Sequence, residues 1–487
     1  MSEKQDLRTV TYDRTYPLSI FEYSKYLIGN SLSSLFCENF EEHFFKGKGG
    51  LGQMVEELFF KYDINNNREA DFNEAGVELK CTPLLRKADN SLRIKERLVC
   101  TMIDYFEIVQ TPFKDSHLIT KCRLMLLLFY LHVYGKKSYE YKFLFRVLWQ
   151  IPEKDLILIK QDYELIADKV RRGEAHLLSE GDTVYLGACR KGQKGDKPQA
   201  QPFSDIKAKK RAFSLKPAYT RYILELVEKS GNDYYCNYVA PKQELVSLVN
   251  IEELKSLPFE KLISDRFKKY IGKDYLQICD MLGIEPYQSK SKYAEVASLI
   301  GSKGKAKRLS RTEEFIKSGI CMKTIRLSES GMPKESMSFK NIDYCEVAEN
   351  NLWEDSELYE IFTNRFMFVV FKPVHGEAIT IYNKKKDNAC TEQRYVIDKI
   401  FFWTMPPHDL ELAKEYWENI RKNVLANRID AKYFWSIKNH RKFHVRPKAA
   451  KADNRTVNPN GGEAYKYCYW LNAEYIKTII DSESNNE

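Results

Sequence analysis

The order of apolar and polar residues early in the chain predicts a helix followed by a strand. In KGGLGQMVEELFFKYD (48–63) the apolar residues recur at helical spacing, which predicts an amphipathic helix entered through a pair of glycines. In GVELKC (76–81) apolar and polar residues alternate with the two-residue period of a strand. The strand therefore has an apolar face, with Val77, Leu79 and Cys81, and a charged face, with Glu78 and Lys80.

Longer apolar segments follow and complete one α/β layer. The segments 96–109, 124–135 and 142–152 are predicted to be strands, and 153–175 has the pattern of a helix. The order of helix, strands and helix predicts an α/β fold, with a mixed sheet and flanking helices. The charged face of the first strand is expected at one edge of that sheet.

Two carboxylates and a lysine are the candidate chemistry of this strand. Asp71 lies seven residues before Glu78, across the turn-like NEAG, and is expected to return to the same spot as Glu78 and Lys80. Such a set suits magnesium-assisted phosphodiester hydrolysis, because carboxylate oxygens hold the cation and an ammonium neutralises developing charge. Glu56 lies among the apolar positions of the preceding helix and requires a partner there. The same residues also suit a half-exposed strand with a solvated charged face and a salt-bridged Glu56.

The chain contains an internal repeat. Gly29 and Gly272, Asp71 and Glu314, Gly76 and Gly319, and Lys80 and Lys323 share one offset, since 272−29, 314−71, 319−76 and 323−80 all equal 243. The correspondence continues in WQIPEKDL against WTMPPHDL and in FSLKPAYTRYIL against YWLNAEYIKTII. We therefore predict two copies of one domain, at 1–230 and 255–487, joined by a linker at 231–254.

The two copies differ at the candidate site. At the shared offset Glu56 becomes Leu299 and Glu78 becomes Cys321, whereas the apolar positions remain apolar. The second copy is therefore expected to keep the fold and to lose the metal site. It retains basic segments, in IGSKGKAKRLSR and HVRPKAAKADNR, which favours a second nucleic-acid site that binds without cutting.

Charge and composition fit a nucleic-acid-binding protein of the cytoplasm. The net charge is +9, and residues 187–216 carry nine Lys or Arg against two Asp, in a Gly-, Pro- and Gln-rich segment predicted to be a long loop. Eleven cysteines without a CxxC pair argue against a disulfide framework and a structural zinc site. The longest apolar run is too short to span a bilayer, so we predict no membrane association.

Several segments together resemble a known family. GLGQMVEE, DFNEAGVELKCTP and FSLKPAYT resemble the MutH mismatch-repair nicking endonuclease, and HVRPKAAKA resembles the base-reading loop of that family. The whole chain, including GEAHLLSEG, QPFSDIKAKKRAFSLK and KESMSF, is similar to the two-domain type II restriction endonucleases of this family that cut at GATC.

The resemblance implies a MutH-like fold and Mg²⁺-dependent cleavage of both strands of duplex DNA at unmodified GATC. It implies an N-terminal catalytic copy and a C-terminal copy that binds a second GATC site as an effector. By position, the resemblance makes Asp71 and Glu78 metal ligands and makes Lys80 the group that orients water or stabilises charge. Glu56 becomes an outer contact to the metal or to a water. It further implies a monomer that pairs transiently on DNA, and a cognate DNA methyltransferase as functional partner.

The DNA contacts are assigned by the same resemblance and by charge. Arg190 and Lys191 follow the Tyr-Leu pair that precedes the base-reading loop of the family, and an Arg or Lys there suits guanine O6 and N7. Other basic residues are assigned to DNA binding, as phosphate contacts in the first copy and effector contacts in the second: Lys207, Lys209, Lys210, Arg211 and Lys216, then Arg446, Lys448 and Lys451. Two alternatives stay open: a MutH-like enzyme that nicks one strand, and a non-catalytic methylation-sensing DNA-binding protein.

Overall fold

The protein divides into two compact units. The structure, a computed structural model, describes residues 11–36, 50–62, 69–87, 89–191, 197–231, 245–383, 388–439, 441–447 and 454–484. The first unit comprises Met1–His176 and Tyr185–Glu244, and the second comprises Leu177–Val184 and Leu245–Glu487. The segment Leu177–Val184 belongs to the second unit, although the sequence-based boundaries place it in the first domain.

The first unit contains a mixed four-stranded sheet, a three-stranded sheet and a hairpin. Its strands are β1 (Glu78–Arg86), β2 (Leu92–Ile94), β3 (Val99–Met102), β4 (Leu124–Leu131), β5 (Lys142–Gln150), β6 (Leu186–Arg190), β7 (Gln199–Gln201), β8 (Ser204–Ala208) and β9 (Arg211–Leu215). Its helices are α1 (Pro17–Ser24), α2 (Leu32–Phe36), α3 (Gly50–Met54), α4 (Tyr105–Ile108), α5 (His117–Cys122), α6 (Glu153–Arg171) and α7 (Pro217–Ser230).

The larger sheet has the order β2-β1-β4-β5. Strand β1 runs parallel to β4, with Glu78 opposite Met125, whereas the other neighbours are antiparallel. The central residues of β4, Met125 to Phe129, are fully buried, as expected of a strand covered on both faces. Because β2 pairs only with Leu84–Arg86, the described residues provide no second strand beside Glu78 and Lys80, and these two lie at an open sheet edge.

Two of the predicted elements differ in the structure. The predicted strand at 96–109 is divided into β3 and α4, because the Asp104 side chain accepts hydrogen bonds from the backbone N–H groups of Phe106 and Glu107 and starts a helix. The predicted long loop at 187–216 instead forms strands β6 to β9 over most of its length. Buried Gln201 anchors the β7–β8 hairpin, since its Oε1 accepts from Ala175 N at 2.8 Å and its Nε2 donates to Ile206 O.

The second unit repeats this architecture. Its strands are β10 (Cys321–Arg326), β11 (Met337–Asn341), β12 (Phe366–Asn383), β13 (Asn388–Trp403), β14 (Phe443–Pro447), β15 (Arg455–Val457), β16 (Glu463–Tyr465) and β17 (Tyr467–Leu471). Its helices are α8 (Ile251–Ser256), α9 (Phe259–Asp265), α10 (Tyr275–Leu282), α11 (Lys292–Gly301), α12 (Glu313–Ser318), α13 (Tyr344–Glu349), α14 (Glu357–Phe362), α15 (Pro407–Leu425) and α16 (Ala473–Ser484).

Corresponding strands occupy corresponding places in the two units. The sheet β10-β12-β13 matches β1-β4-β5, with a parallel first pair and an antiparallel second pair in both. The sheets β3-β9-β6 and β11-β17-β14 also match, and both are antiparallel. The predicted α/β fold in two copies is confirmed. None of the helices in the described ranges is both long and apolar enough to cross a bilayer.

Candidate active site

A tight turn brings Asp71 beside Glu78. Phe72 and Val77 exchange backbone hydrogen bonds around NEAG, and Gly76 takes a φ of +64°, which only glycine adopts without strain. The Asp71 carboxylate accepts from Leu79 N at 2.8 Å, and Asp71 N donates to Glu78 Oε2 at 3.3 Å. Asp71 therefore satisfies an N–H group at the open edge of β1 and lies against the second carboxylate.

Two lysines surround Glu78. Lys80 Nζ is 2.7 Å from Glu78 Oε1, on the face of β1 that the alternation predicts. Lys121 Nζ, from α5, is 3.8 Å from the same oxygen. Sequence reasoning missed Lys121, because it lies 43 residues after Glu78 (121−78) and no local pattern marks it.

Glu56 belongs to the same acidic cluster, which we define as Glu56, Asp71 and Glu78. The predicted helix is present as α3, but it continues as a π-helical turn at Val55–Phe59, a distortion often found at functional sites. Burial, followed by the charges of Asp71 and Glu78, raises the pKa of Glu56 to about 7. This pKa suits an acid–base group that works near neutral pH.

The acidic cluster fits a divalent cation. Burial and the charge of Glu78 raise the pKa of Asp71 to about 6, so the cluster repels itself when ionised. A cation between Asp71 and Glu78 would relieve that repulsion. Within the described ranges no three His, Cys, Asp or Glu side chains form a metal cage, and Mg²⁺ is ordinarily held by one or two carboxylates together with water and substrate phosphates.

The acidic cluster favours the protonated form of Lys80. Burial lowers the pKa of Lys80, but the Glu78 carboxylate outweighs this effect and raises the pKa above its ordinary value. Lys80 is therefore an ammonium at neutral pH and can stabilise an anion.

A basic cleft of about 470 Å³ borders the turn. Gly76, Lys114, Ile119, Thr120, Arg123, Leu124 and Gln150 line it. Lys114 and Arg123 are both exposed, so the cleft offers two cations to a polyanion next to the acidic cluster.

The predicted DNA-contacting residues fall into two groups. Arg190, Lys191, Lys207, Lys209 and Lys210 are exposed on the β6–β9 region. In contrast, Arg211 and Lys216 are buried, with 8% and 3% of their surface exposed. The Arg211 guanidinium donates to Ala188 O at 2.6 Å and so ties β9 to β6. This burial disagrees with a phosphate contact by Arg211 and with a direct DNA contact by Lys216.

The second unit uses the corresponding positions for structure. Glu314, the counterpart of Asp71, is fully buried, and its carboxylate accepts from Ser247 Oγ and from the backbone N–H groups of Leu248 and Val249. Lys323 donates to Ser338 O and lies 4.8 Å from the centre of the Phe339 ring. The two side chains retained from the first copy are thus engaged in the fold of the second.

One basic residue of the second unit lies in an aromatic setting. Arg446 is exposed at the end of β14, with its guanidinium 4.3 Å from the centre of the Trp470 ring. The predicted contacts Lys448 and Lys451 lie outside the described residues.

Paired carboxylates and a lysine at a sheet edge, beside a basic cleft, are the arrangement expected of a metal-dependent phosphodiester hydrolase. Comparison with known proteins shows which enzymes this chain resembles. The model of the DNA mismatch repair enzyme MutH matches residues 60–162, which include Asp71, Glu78, Lys80 and Lys121. The type II restriction enzyme Sau3AI of Staphylococcus aureus is 29% identical over 512 aligned residues, covering 95% of this chain and 98% of that protein. The chain is a site-specific deoxyribonuclease that is similar to MutH in residues 60–162 and to a type II restriction enzyme over 95% of its length.

Proposed function

We propose that the chain is a type II restriction endonuclease that makes Mg²⁺-dependent double-strand cuts in DNA at unmodified GATC. The observation that carries this proposal is the convergence of Asp71, Glu78 and Lys80 at the open edge of β1. The similarity to a restriction enzyme over 95% of the chain supports the choice of reaction. A host that makes such an enzyme needs a cognate methyltransferase to modify its own GATC sites.

The residues of the first unit have distinct roles in the proposed hydrolysis. When bound to Asp71 and Glu78, a divalent cation supplies Lewis-acid activation of the phosphate. Glu56 accepts the proton that the attacking water loses as its oxygen bonds to phosphorus. The bond between phosphorus and the oxygen of the next sugar breaks, and that leaving oxygen takes a proton from solvent water. Lys80 and Lys121 stabilise the negative charge that develops on the phosphate oxygens.

Sequence recognition is proposed to come from the start of the β6–β9 region. Arg190 and Lys191 are exposed where β6 ends, and their donors suit guanine O6 and N7 in the major groove. Lys207, Lys209 and Lys210 are proposed to contact phosphates, which positions the DNA without reading its sequence.

The second unit is proposed to bind a second GATC site as an effector. In this unit Glu314 and Cys321 stand where the first unit has its metal ligands. The Glu314 carboxylate already accepts hydrogen bonds from the backbone. Arg446 on β14 supplies an exposed cation for DNA. Since the described residues of a chain contain one such acidic cluster, the two strands of a palindrome are cut either by two chains that pair transiently on DNA or by successive nicks. The protein is proposed to be a monomer when free.

The test uses two unmethylated plasmids that differ only in the presence of GATC. Wild type and Lys80→Ala are incubated with each plasmid, with and without Mg²⁺. Linear fragments from the GATC plasmid alone, lost without Mg²⁺ and reduced at least about 100-fold in rate by Lys80→Ala, are expected. Accumulation of nicked circles as the end product would instead identify a strand-nicking enzyme. GATC binding by both proteins without any cleavage would identify a binding protein.

A further inference from the structure

Tyr62 has a buried hydroxyl that no group in the described part of the chain pairs with. The residue follows the π-helical turn of the active site, and its hydroxyl oxygen is inaccessible to solvent. An unpaired buried hydroxyl costs about 1–3 kcal/mol, so a hydroxyl in this position favours a bridging water or ligand group as its partner.

The backbone ties Tyr62 to Glu56. Tyr62 N donates to Glu56 O at 3.2 Å, which closes the turn that carries the Glu56 side chain. The Tyr62 ring packs edge-on against Phe72, with 5.0 Å between centroids, and Phe72 in turn packs against Phe60 at 5.1 Å. These contacts fix the direction of the Tyr62 hydroxyl, and Phe72 is the neighbour of Asp71 in the chain.

The hydroxyl lies within electrostatic reach of the acidic cluster. Burial, followed by the charges of Asp71, Glu56 and Glu78, raises the pKa of Tyr62 well above its ordinary value. The phenol therefore stays protonated at every pH at which the enzyme works. It is a hydrogen-bond donor that the charges of the three carboxylates influence, and none of them accepts a direct hydrogen bond from it.

We propose that Tyr62 is a positioning residue, which shares an ordered water with Glu56 and thereby orients the Glu56 carboxylate toward the attacking water. A water needs about two to four polar partners to be held in place, and the Tyr62 hydroxyl and the carboxylates provide them. The inference rests on the proposed nuclease function. It adds an aromatic donor to the set of Asp71, Glu78 and Lys80.

Tyr62→Phe removes only the hydroxyl and is the primary test. Because no protein group among the described residues pairs with that hydroxyl, the melting temperature of metal-free Tyr62→Phe should equal or exceed that of wild type. The affinity for a GATC duplex in Ca²⁺, which replaces Mg²⁺ in the binding measurement, should stay within about twofold. The single-turnover cleavage rate in Mg²⁺ should fall about tenfold, which corresponds to about 1.4 kcal/mol.

A matched control and a double variant separate positioning from packing. Tyr469 is fully buried in the second unit and, among the described residues, its hydroxyl also has no hydrogen-bond partner, so Tyr469→Phe should leave the cleavage rate unchanged. In a Glu56→Gln background, Tyr62→Phe should lower the cleavage rate by less than about twofold, because the effects of coupled residues are not additive.

Three kinetic outcomes would overturn the inference while leaving the proposed function intact: an unchanged cleavage rate in Tyr62→Phe, an equal loss in Tyr469→Phe, or a full tenfold loss in the Glu56→Gln background. Absence of any cleavage by wild type would contradict the proposed function itself. A lower melting temperature of Tyr62→Phe would show that the hydroxyl has a structural partner, and it would also overturn the inference.

Discussion

At the scale of single residues, the active site combines groups that are close in sequence with groups that are not. Asp71, Glu78 and Lys80 lie within ten residues, and the NEAG turn with the alternation of β1 brings them together. Lys121 reaches the same carboxylate only because α5 packs beside the start of β1 and β4. Local patterns therefore predict the first group and miss the second.

Lys121 is expected to contribute to cleavage. Lys121→Ala removes a cation 3.8 Å from Glu78 Oε1, so the single-turnover rate should fall about 10- to 100-fold, with DNA affinity in Ca²⁺ reduced less than about threefold. Rapid-quench measurements on a GATC duplex check this. Lys136→Ala is the control, since Lys136 follows the opposite end of β4 from Glu78. Equal rates for Lys121→Ala and wild type would remove Lys121 from the mechanism.

The acidic cluster should contribute more to the stability of the metal-free protein as the pH falls. The pKa values of Asp71 and Glu56 are raised to about 6 and about 7, so the folded state binds more protons than the unfolded state. The resulting stabilisation is fully present below about pH 4 and is lost as the pH rises through 6 to 7. The melting temperature of Asp71→Asn/Glu56→Gln is compared with that of wild type by thermal unfolding in EDTA. The difference in favour of the variant should grow by about 2–4 °C as the pH rises from 5 to 8. A constant difference across that range would contradict the mutual repulsion of the cluster.

At the scale of elements, equivalent positions in the two units have different uses. Asp71 satisfies one N–H group of β1 and keeps its other oxygen for the site. In contrast, Glu314, the second residue of α12, accepts from several donors of the 247–249 segment. The repeat could be predicted from sequence, but this change of use could not, because it depends on a segment 67 residues away (314−247).

Glu314→Ala should destabilise the second unit. It leaves buried N–H groups of Leu248 and Val249 without an acceptor, at a cost of about 2–4 kcal/mol. Urea unfolding of the full chain measures this, with Glu335→Ala as the control, because Glu335 is exposed and makes only a 3.5 Å ion pair with Arg326. Equal effects of the two substitutions would contradict the assigned role of Glu314.

The exposed lysines near the β7–β8 hairpin should control affinity without controlling sequence preference. Replacing Lys207, Lys209 and Lys210 with Ala should weaken binding to GATC and non-GATC duplexes equally and lower the slope of log K against log salt by about 2–3. Fluorescence anisotropy at several salt concentrations measures both quantities, and Lys136→Ala/Lys137→Ala serves as the control. A loss of GATC preference with unchanged overall affinity would assign these lysines to base reading.

At the scale of the whole molecule, two copies of one fold are proposed to divide cutting and sensing. The first copy keeps the acidic cluster, and the second has a buried Glu314 and an exposed Arg446. Coupling between two DNA sites requires that each site responds to occupation of the other.

Arg446→Ala tests that division. On a plasmid with two GATC sites its cleavage rate should fall about fivefold or more, while the rate on a plasmid with one site stays within twofold of wild type, because only effector binding is lost. Arg428→Ala, at another exposed cation of the second unit, is the control. Equal losses on both plasmids would place Arg446 in catalysis or folding rather than in effector binding.

The sequence by itself determined the two-copy α/β architecture and the Asp71–Glu78–Lys80 constellation, because periodicity, a four-residue turn and one constant offset are local or linear properties. Only the tertiary structure decided that Lys121 lies beside Glu78, that Arg211 and Lys216 are interior, and that residues 199–208 form a hairpin. Each of these depends on distances between residues remote in sequence. Such distances are set by how helices and sheets pack, not by the order of residues alone.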